Sequence, residues 1–346
     1  MTPEQLEVSP SAEGELSPYE RGASLERVLA LSAEYPLQEN VIAFKFGGSS
    51  LLGAQHLLHS ARLVQDAAKT CPVTVVVSAM RGVTDRLLRV GEWLGQGRNA
   101  QARKEAEAIV DLHLATLQDL ELAATEYERV EQELKLLNRD LLHESPLRVR
   151  VEINDALLDR LASFGERYAS RLFAATLGRI GVQAVPVASS DFVVTCDNFR
   201  DARPHLGHTR RRGREVLLPL LQAGIVPVVT GFIGATQDGR ITTLGRNSSD
   251  FSGALIAHIV DAEELVIWTD VDGIYTTNPR DSAEAKILHE LSYDEAHALA
   301  ASGAKVLHPH VLPLAAQTEM TVWVKNTFNP NARGTRIGAQ PDGGVA

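Results

Sequence analysis

Residues 241–280, ITTLGRNSSDFSGALIAHIVDAEELVIWTDVDGIYTTNPR, constrain the fold more than any other stretch of this sequence. They read as strand, polar turn, helix, strand, acidic turn. Leu255, Ile256 and Ile259 recur at helical spacing within 251–260, so this segment can lie against a sheet. Ser249 or Asp250 is a fair N-cap for it. The helix start then aims backbone N–H groups and a positive dipole end at the turn Leu244-Gly245-Arg246-Asn247-Ser248-Ser249-Asp250, a ready anion site. Residues 265–268 are a short apolar run, consistent with a buried strand, and end in Thr269-Asp270-Val271-Asp272-Gly273. Two carboxylates at the carboxyl end of a buried strand stand where open α/β sheets place ligand and metal chemistry. Either turn alone is more simply a polar connection between core elements. One cationic and one acidic turn in a single strand–helix–strand unit favour a nucleotide-phosphate site.

The rest of the chain continues the alternation. Residues 41–46 (VIAFKF) read as a strand, followed by the turn Gly47-Gly48-Ser49-Ser50 and a helix over 53–69. Residues 73–77 are a continuous β-branched run, hence a buried strand, ending in Ser78-Ala79-Met80-Arg81-Gly82-Val83-Thr84. From 85 to about 143 the pattern is helical and charge-rich, which predicts a helical pair protruding from the sheet with a solvated face. A helix over 152–177 carries Phe164-Gly165-Glu166-Arg167; a strand over 182–187, a long polar loop over 191–214, a helix over 215–222 and a strand over 225–230 follow. Gln237-Asp238-Gly239-Arg240 reads as a hairpin tip. Helices over 293–302 and 309–317 and a final strand over 321–325 complete the pattern. Residues 1–22, rich in Glu, Ser and Pro, predict disorder, and 23–35 an amphipathic helix with no functional reading. Strands alternating with helices over this length predict a mainly parallel α/β sheet rather than a barrel of eight equal units.

Composition narrows the function classes. With 346 residues, 44% of them hydrophobic, the chain can bury a sizeable core in one large domain or two. A net charge of −10 argues against a nucleic-acid partner. The only cysteines, Cys71 and Cys196, form no CxxC, so neither a disulfide framework nor a zinc site is implied. No apolar run reaches membrane-spanning length, and the first forty residues lack the pattern of a signal peptide. These features together predict a cytoplasmic protein.

Among short motifs, Lys45-Phe46-Gly47-Gly48-Ser49-Ser50 carries the most chemistry. A lysine at the end of a first strand, followed by two glycines, lets backbone N–H groups approach phosphates, and Lys45 adds a mobile positive charge. A tight strand-to-helix turn with a surface lysine explains the same residues about as well. Gly95-Gln96-Gly97-Arg98-Asn99-Ala100 matches a dinucleotide fingerprint but follows a helical segment, so it reads as a loop. There is no GxxxxGK[ST] motif. Arg246 and Asp250 could form a local ion pair, Glu166 and Arg167 could be helix-surface charges, and His308 and His310 show no metal-ligand pattern.

Taken together, KFGGSS, VVVSAMRGVT, FGERYASRL, TTLGRNSSDFSGAL, IWTDVDGIYTTNPR and GAKVLHP resemble, in order and spacing, the catalytic domain of aspartate kinases, from about 41 to 338. GRNSSD and VKNTFNPNARGTRIG are most similar to the kinase part of bifunctional aspartokinase–homoserine dehydrogenases. The resemblance implies the amino acid kinase (carbamate kinase-like) fold, a three-layer αβα sandwich with a mainly parallel central sheet. It implies an N-terminal extension over 1–40 and a catalytic domain over 41–340, whose N-terminal part binds the amino acid and whose part from about 225 to 340 binds nucleotide. The implied reaction is ATP-dependent phosphorylation of the β-carboxylate of L-aspartate, at the head of lysine, threonine and methionine biosynthesis, with ATP and Mg²⁺ as cofactors.

Residue roles carry over by motif. Lys45, Arg246 and Asp250 would be catalytic; Ser78, Thr84, Glu166, Arg246 and Ser249 would hold the amino acid. Lys45, Gly47, Gly48, Ser49, Thr269, Asp270, Tyr275, Arg280 and Lys305 would line the nucleotide site. Glu166 suits an α-ammonium, and Arg246 a carboxylate in a bidentate way. The acceptor carboxylate, with a pKa of roughly 3.9, is already ionised, so catalysis requires positioning and charge neutralisation rather than a base. Mg²⁺ would bind mainly through ATP oxygens and water, with no dedicated protein metal site. The sequence departs from the commoner family pattern at Asn247-Ser248 (for Gly-Gly), Asp85 (for Asn), Asn278 (for Asp) and His310 (for Arg).

Aspartate kinases normally continue into ACT regulatory domains, whereas this sequence stops at Ala346. The expectation is an enzyme without built-in feedback by lysine or threonine, which strong inhibition by either would overturn. A homodimer would then use the kinase domain or the N-terminal helix. Two rival readings stay open: a kinase of the same fold for glutamate, acetylglutamate, carbamate or UMP, and a non-catalytic nucleotide-binding partner subunit.

Overall fold

Strand β1 (Ile42–Phe46) carries Lys45 into the middle of an eight-stranded sheet. The structure, a computed structural model, describes residues 40–144, 152–277, 284–301 and 307–339. β1 lies between β2 (Val73–Val77) and β8 (Glu264–Thr269), parallel to both, with Lys45 in register with Val76 and Ile267. Beyond β2 come β5 (Val226–Thr230) and the edge strand β3 (Ala184–Val187). Beyond β8 come β12 (Thr321–Asn326), β13 (Thr335–Gly338) and β11 (Glu290–Ser292). Every neighbouring pair is parallel except β12 with β13. A separate three-stranded sheet joins β4 (Val194–Thr195), β6 (Ile233–Thr236) and β7 (Ile241–Thr243), and β9 (Ile274–Tyr275) pairs with β10 (Ile287–Leu288).

The period-2 alternation of the central strands divides the core between the two faces. Phe44, Phe46, Val75, Val77, Val266 and Trp268 belong to one apolar cluster; Ala43, Val76, Leu265 and Ile267 belong to the other. The first cluster is covered by α1 (Gly53–Ala67), α2 (Val83–Gly95), α3 (Asn99–Asp119), α4 (Ala124–Glu144) and α5 (Asp155–Arg179). The second is covered by α6 (Leu206–Gln222), α7 (Ser249–Ile259), α8 (Tyr293–Ala301) and α9 (Val311–Gln317). The architecture is the expected three-layer αβα sandwich. α5 starts at Asp155 rather than 152, capped by the Asn154 side chain, which accepts from the Leu157 N–H at 2.9 Å.

Four local expectations need correction. The charged region after 85 folds as three helices, and α3 and α4 do not stand off as a solvated pair. Val130, Leu134, Leu137 and Leu141 recur on one face of α4, and with Ile109 and Leu117 of α3 they are buried in the same cluster as Phe44. Helix α6 begins at Leu206 rather than near 215, because Thr209 and Gly213 extend the buried face of Leu217 by two turns. Thr321–Asn326 is not the last strand, since β13 returns antiparallel to it. The N-cap of α7 is Ser248, and it makes no side-chain capping bond. The expected loop at Gly95–Ala100 is where α2 ends and α3 begins, with Gly97 at φ 71°. The expected N-terminal helix, Arg280, Lys305, Asn278 and the end of α8 at Ser302 lie outside the described residues.

Candidate active site

A cleft of about 360 Å³ opens where the loops after β1 and β2, helix α5 and the start of α7 converge. Lys45 reaches it from β1 and is buried against α7. A Cβ added at Gly253 would come within 3.1 Å of the Lys45 Cβ, so the missing side chain lets the helix approach the strand. The Lys45 ammonium pairs with Asp250 at 2.7 Å, their side chains only 9% and 21% exposed. The two rivals for Asp250 are thereby separated: Arg246 does not pair with it, but with Asp85 at 2.6 Å across the cleft mouth.

Gly47 and Gly48 continue from the strand. The Gly47 N–H donates to the Trp268 carbonyl at 3.2 Å, and the Arg81 N–H donates to the Gly48 carbonyl at 3.1 Å. A Cβ on Gly48 would sit 2.6 Å from the Ala79 carbonyl oxygen, so this contact between the β1 and β2 loops admits only glycine. Ser78, at the end of β2, donates its hydroxyl to the Ser249 hydroxyl at 2.8 Å. Asn247 holds the left-handed conformation, φ 63°, which explains how asparagine can stand where glycine is commoner. Ser248 is fully buried, and its hydroxyl has no hydrogen-bond partner.

Glu166 projects from α5 into the same cleft. Its Oε1 accepts from the Ala79 N–H at 3.0 Å, while its buried Oε2 has no partner. Burial pushes its carboxyl up to about 8, against the lowering effects of the Ala79 N–H and the Lys45 charge. The close fit of α5 to the β2 loop depends on Gly165, where a Cβ would lie 2.5 Å from the Ala79 Cβ.

Of the predicted residues, Lys45, Gly47, Gly48, Ser78, Thr84, Glu166, Arg246, Ser249 and Asp250 line this one cleft. Ser49, Thr269, Asp270 and Tyr275 do not. Ser49 lies in the helical turn Gly48–Leu51, its carbonyl 2.8 Å from the His56 Nδ1. The Thr269 carbonyl accepts from the Thr327 N–H at 2.8 Å, and Tyr275 is in β9. Asp270 is joined to the cleft through Arg81, whose guanidinium is 3.7 Å away. The second acidic residue of that turn, Asp272, accepts from the Asn326 and Asn329 amides at 2.8 and 3.2 Å and so fixes the loop after β12. His308 stacks on Phe251 with ring centroids 5.9 Å apart, and His310 lies tilted against it at 5.3 Å. Arg81, Arg200, Phe232 and Thr243 also line the cleft; Arg81 and Thr243 stand within the quoted motifs VVVSAMRGVT and TTLGRNSSDFSGAL without an assigned role, and Arg200 and Phe232 stand outside the quoted motifs. Arg200 and Arg246 extend into an adjoining cavity of about 250 Å³.

The donor set can do specific work. A buried lysine, close-approaching glycine backbone and the N-terminus of α7 suit a phosphate chain. A buried carboxylate with one free oxygen suits an ammonium group. Among the described residues, no three His, Cys, Asp or Glu side chains come together as a metal cluster, and no helix is long and apolar enough to cross a membrane.

A site of this kind on a parallel αβα sheet defines a class, and the sequence profile described as the amino acid kinase family matches residues 40–326; the chain belongs to that family. Within it, the chain is similar to aspartokinases. It is 35% identical over 297 residues to the lysine-sensitive aspartokinase 3 of Escherichia coli (strain K12), covering 86% of this chain and 64% of that protein. It is 35% identical over 301 residues to the chloroplastic aspartokinase 1 of Arabidopsis thaliana, covering 85% and 51%. The crystal structure of E. coli aspartokinase III in complex with aspartate and ADP superposes with a TM-score of 0.77 at 34% identity, covering 88% of this chain and 65% of that one. The chain spans between about half and two thirds of these relatives' length.

Proposed function

We propose that the chain transfers the γ-phosphoryl group of ATP to the β-carboxylate of L-aspartate, giving 4-phospho-L-aspartate and ADP. This reaction would be the first step toward lysine, threonine and methionine. The observation that carries the reading is the meeting, in one cleft, of the buried Lys45–Asp250 pair and the half-paired buried carboxylate of Glu166. The first suits a transferring phosphoryl group, the second the α-ammonium of its acceptor. The similarity to a structure solved with aspartate and ADP supports the same assignment.

In this reading, a β-carboxylate oxygen attacks the γ-phosphorus, the bond to the β–γ bridging oxygen breaks, and ADP leaves with the electron pair. No proton moves, because the acceptor is already ionised. Lys45 neutralises charge on the transferring oxygens, and Asp250 holds the ammonium in place. Gly47, Gly48 and Ser49 face the phosphates, and Thr269, Asp270, Tyr275, Arg280 and Lys305 belong to the nucleotide end. Ser78, Thr84, Ser249 and Arg246 position the amino acid. A Mg²⁺ ion carried on the triphosphate fits a donor set whose carboxylates Asp250 and Asp270 are already paired with cations. When bound, it would supply further charge neutralisation.

Trapping the acyl phosphate with hydroxylamine tests the proposal. Hydroxamate should form with L-aspartate and not with glutamate, acetylglutamate or carbamate. Lys45→Ala should lower kcat by about 100-fold or more. ATP binding without product from aspartate would overturn it in favour of another acceptor or a partner-subunit role.

A further inference from the structure

Two arginines, Arg200 and Arg246, line both the cleft and the cavity that adjoins it. Arg246 is the member that the sequence motif identifies. Its Nη2 is 2.6 Å from the Asp85 carboxylate, and the two side chains are 71% and 62% exposed, so a counter-charge already faces it at the mouth. Arg200 lines the same cleft and the same adjoining cavity. Its carboxylate neighbours, Asp155 and Asp159, lie 3.8 Å from it, beyond hydrogen-bonding reach. Asp159 is engaged elsewhere: fully buried, it accepts from the Arg200 N–H at 2.9 Å, the Thr243 N–H at 2.8 Å and the Thr243 hydroxyl at 2.7 Å. One buried carboxylate therefore ties the loop bearing Arg200 to the strand that leads into Arg246.

The backbone at Arg200 points the same way. Asp201 N–H donates to the Asn198 carbonyl at 3.2 Å, closing a turn in which Arg200 occupies the third position at φ 72°. That conformation favours glycine and strains an arginine. A strained arginine that lines the cleft, its guanidinium with no hydrogen-bonded carboxylate, is placed to meet an anion.

We propose that Arg200 is a second binding residue for the α-carboxylate of the acceptor, supplying the positive charge that Asp85 withdraws from Arg246. This inference rests on the aspartate kinase reading above. With the α-ammonium on Glu166 and the β-carboxylate toward Lys45, the α-carboxylate is the remaining anionic group, and Arg200 and Arg246 are the two cations common to the cleft and its adjoining cavity.

Arg200→Gly tests the assignment, because glycine keeps the left-handed backbone and removes only the side chain. The variant should raise the KM for L-aspartate about ten-fold, the loss of one charge-assisted contact. The KM for ATP should move less than two-fold, and kcat should fall far less than the aspartate KM rises. Adding Asp85→Asn to Arg200→Gly should lower the aspartate KM again, by releasing Arg246 from its partner. An unchanged aspartate KM in Arg200→Gly, with the melting temperature at or above that of the parent, would overturn the proposal and leave Arg200 a loop residue only. No recovery in the double variant would overturn the charge-sharing with Asp85. Absence of hydroxamate from the parent protein would instead remove the kinase reading itself, which separates the two failures.

Discussion

Glu166 holds one oxygen on the Ala79 N–H and leaves the other unpaired in a fully enclosed position. Its carboxyl is raised by burial from 4.5 to about 8, so at neutral pH the ligand-free protein carries it protonated. Docking an α-ammonium group against it reverses the preference and expels the proton. Titration calorimetry at pH 7 in buffers of different ionisation enthalpy should therefore show close to one proton released per aspartate bound. Glu166→Gln should release none and bind aspartate at least about ten-fold more weakly. The stability effect has the opposite sense to that of a salt-bridged carboxylate. Between about 4.5 and 8 the folded state holds a proton that the unfolded chain has lost, so this group lowers stability as pH rises through that window. In urea melts, the loss between pH 5 and pH 8 should be smaller in Glu166→Gln than in the parent; an equal loss would assign the slope to other groups. The sequence marked Glu166 through its motif but not its state, since one helix-borne glutamate reads like another until the layers around it are placed. Arg200 and Asp159 were less legible still. A left-handed arginine in a polar loop carries no composition signal, and a buried aspartate within α5 looks like any surface acid of an amphipathic helix.

Helix α5 carries Glu166, the residue proposed to hold the acceptor's ammonium, and its fit to the β2 loop is decided at Gly165. A methyl group there would meet the Ala79 Cβ at 2.5 Å and the Val83 Cγ1 at 3.4 Å, forcing the helix and the loop apart. Gly165→Ala should cost about 1–3 kcal/mol by overpacking and raise the aspartate KM, because the same loop presents the Ala79 N–H to Glu166. Gly178 lies on the same helix with nothing within 4 Å of an added Cβ. Gly178→Ala should stabilise by about 0.5–1 kcal/mol and leave the aspartate KM unchanged. Denaturant melts and initial rates on the pair separate helix propensity from fit; equal behaviour of the two would sink this account. At this scale much was readable from pattern alone. The β-branched runs of β2, β5 and β8 and the hairpin at Asp238-Gly239 announce themselves. The start of α6 does not, because its inner face uses Thr209 and Gly213, and Gly213 packs where a Cβ would be 2.8 Å from Ile259. Small residues that permit close helix packing look, in sequence, like residues of a loop.

For the whole molecule, chain order and spatial order differ in a way that bears on cooperativity. β5, from residues 226–230, is inserted between β2 and the edge strand β3, and β8 flanks β1 on the other side. Early and late segments thus share one hydrogen-bonded sheet. Both apolar clusters draw on β1, β2, β5 and β8, one from each face: Phe44, Val75, Val228 and Val266 on the first, Ala43, Val76, Val229 and Leu265 on the second. Removing either helical layer would expose the reverse side of strands that the other layer needs. The proposed amino-acid-binding and nucleotide-binding parts would therefore differ in ligand without unfolding separately. Chains of this size often populate intermediates, which makes the expectation a sharp one. Calorimetry of the ligand-free protein should give a single transition over the sheet, with a van't Hoff enthalpy close to the calorimetric one. Nucleotide at 100 times its Kd should shift that whole transition by an amount equivalent to about 2.7 kcal/mol. Two resolved transitions, only one of them moved by nucleotide, would show that the parts melt independently and that the shared sheet does not couple them.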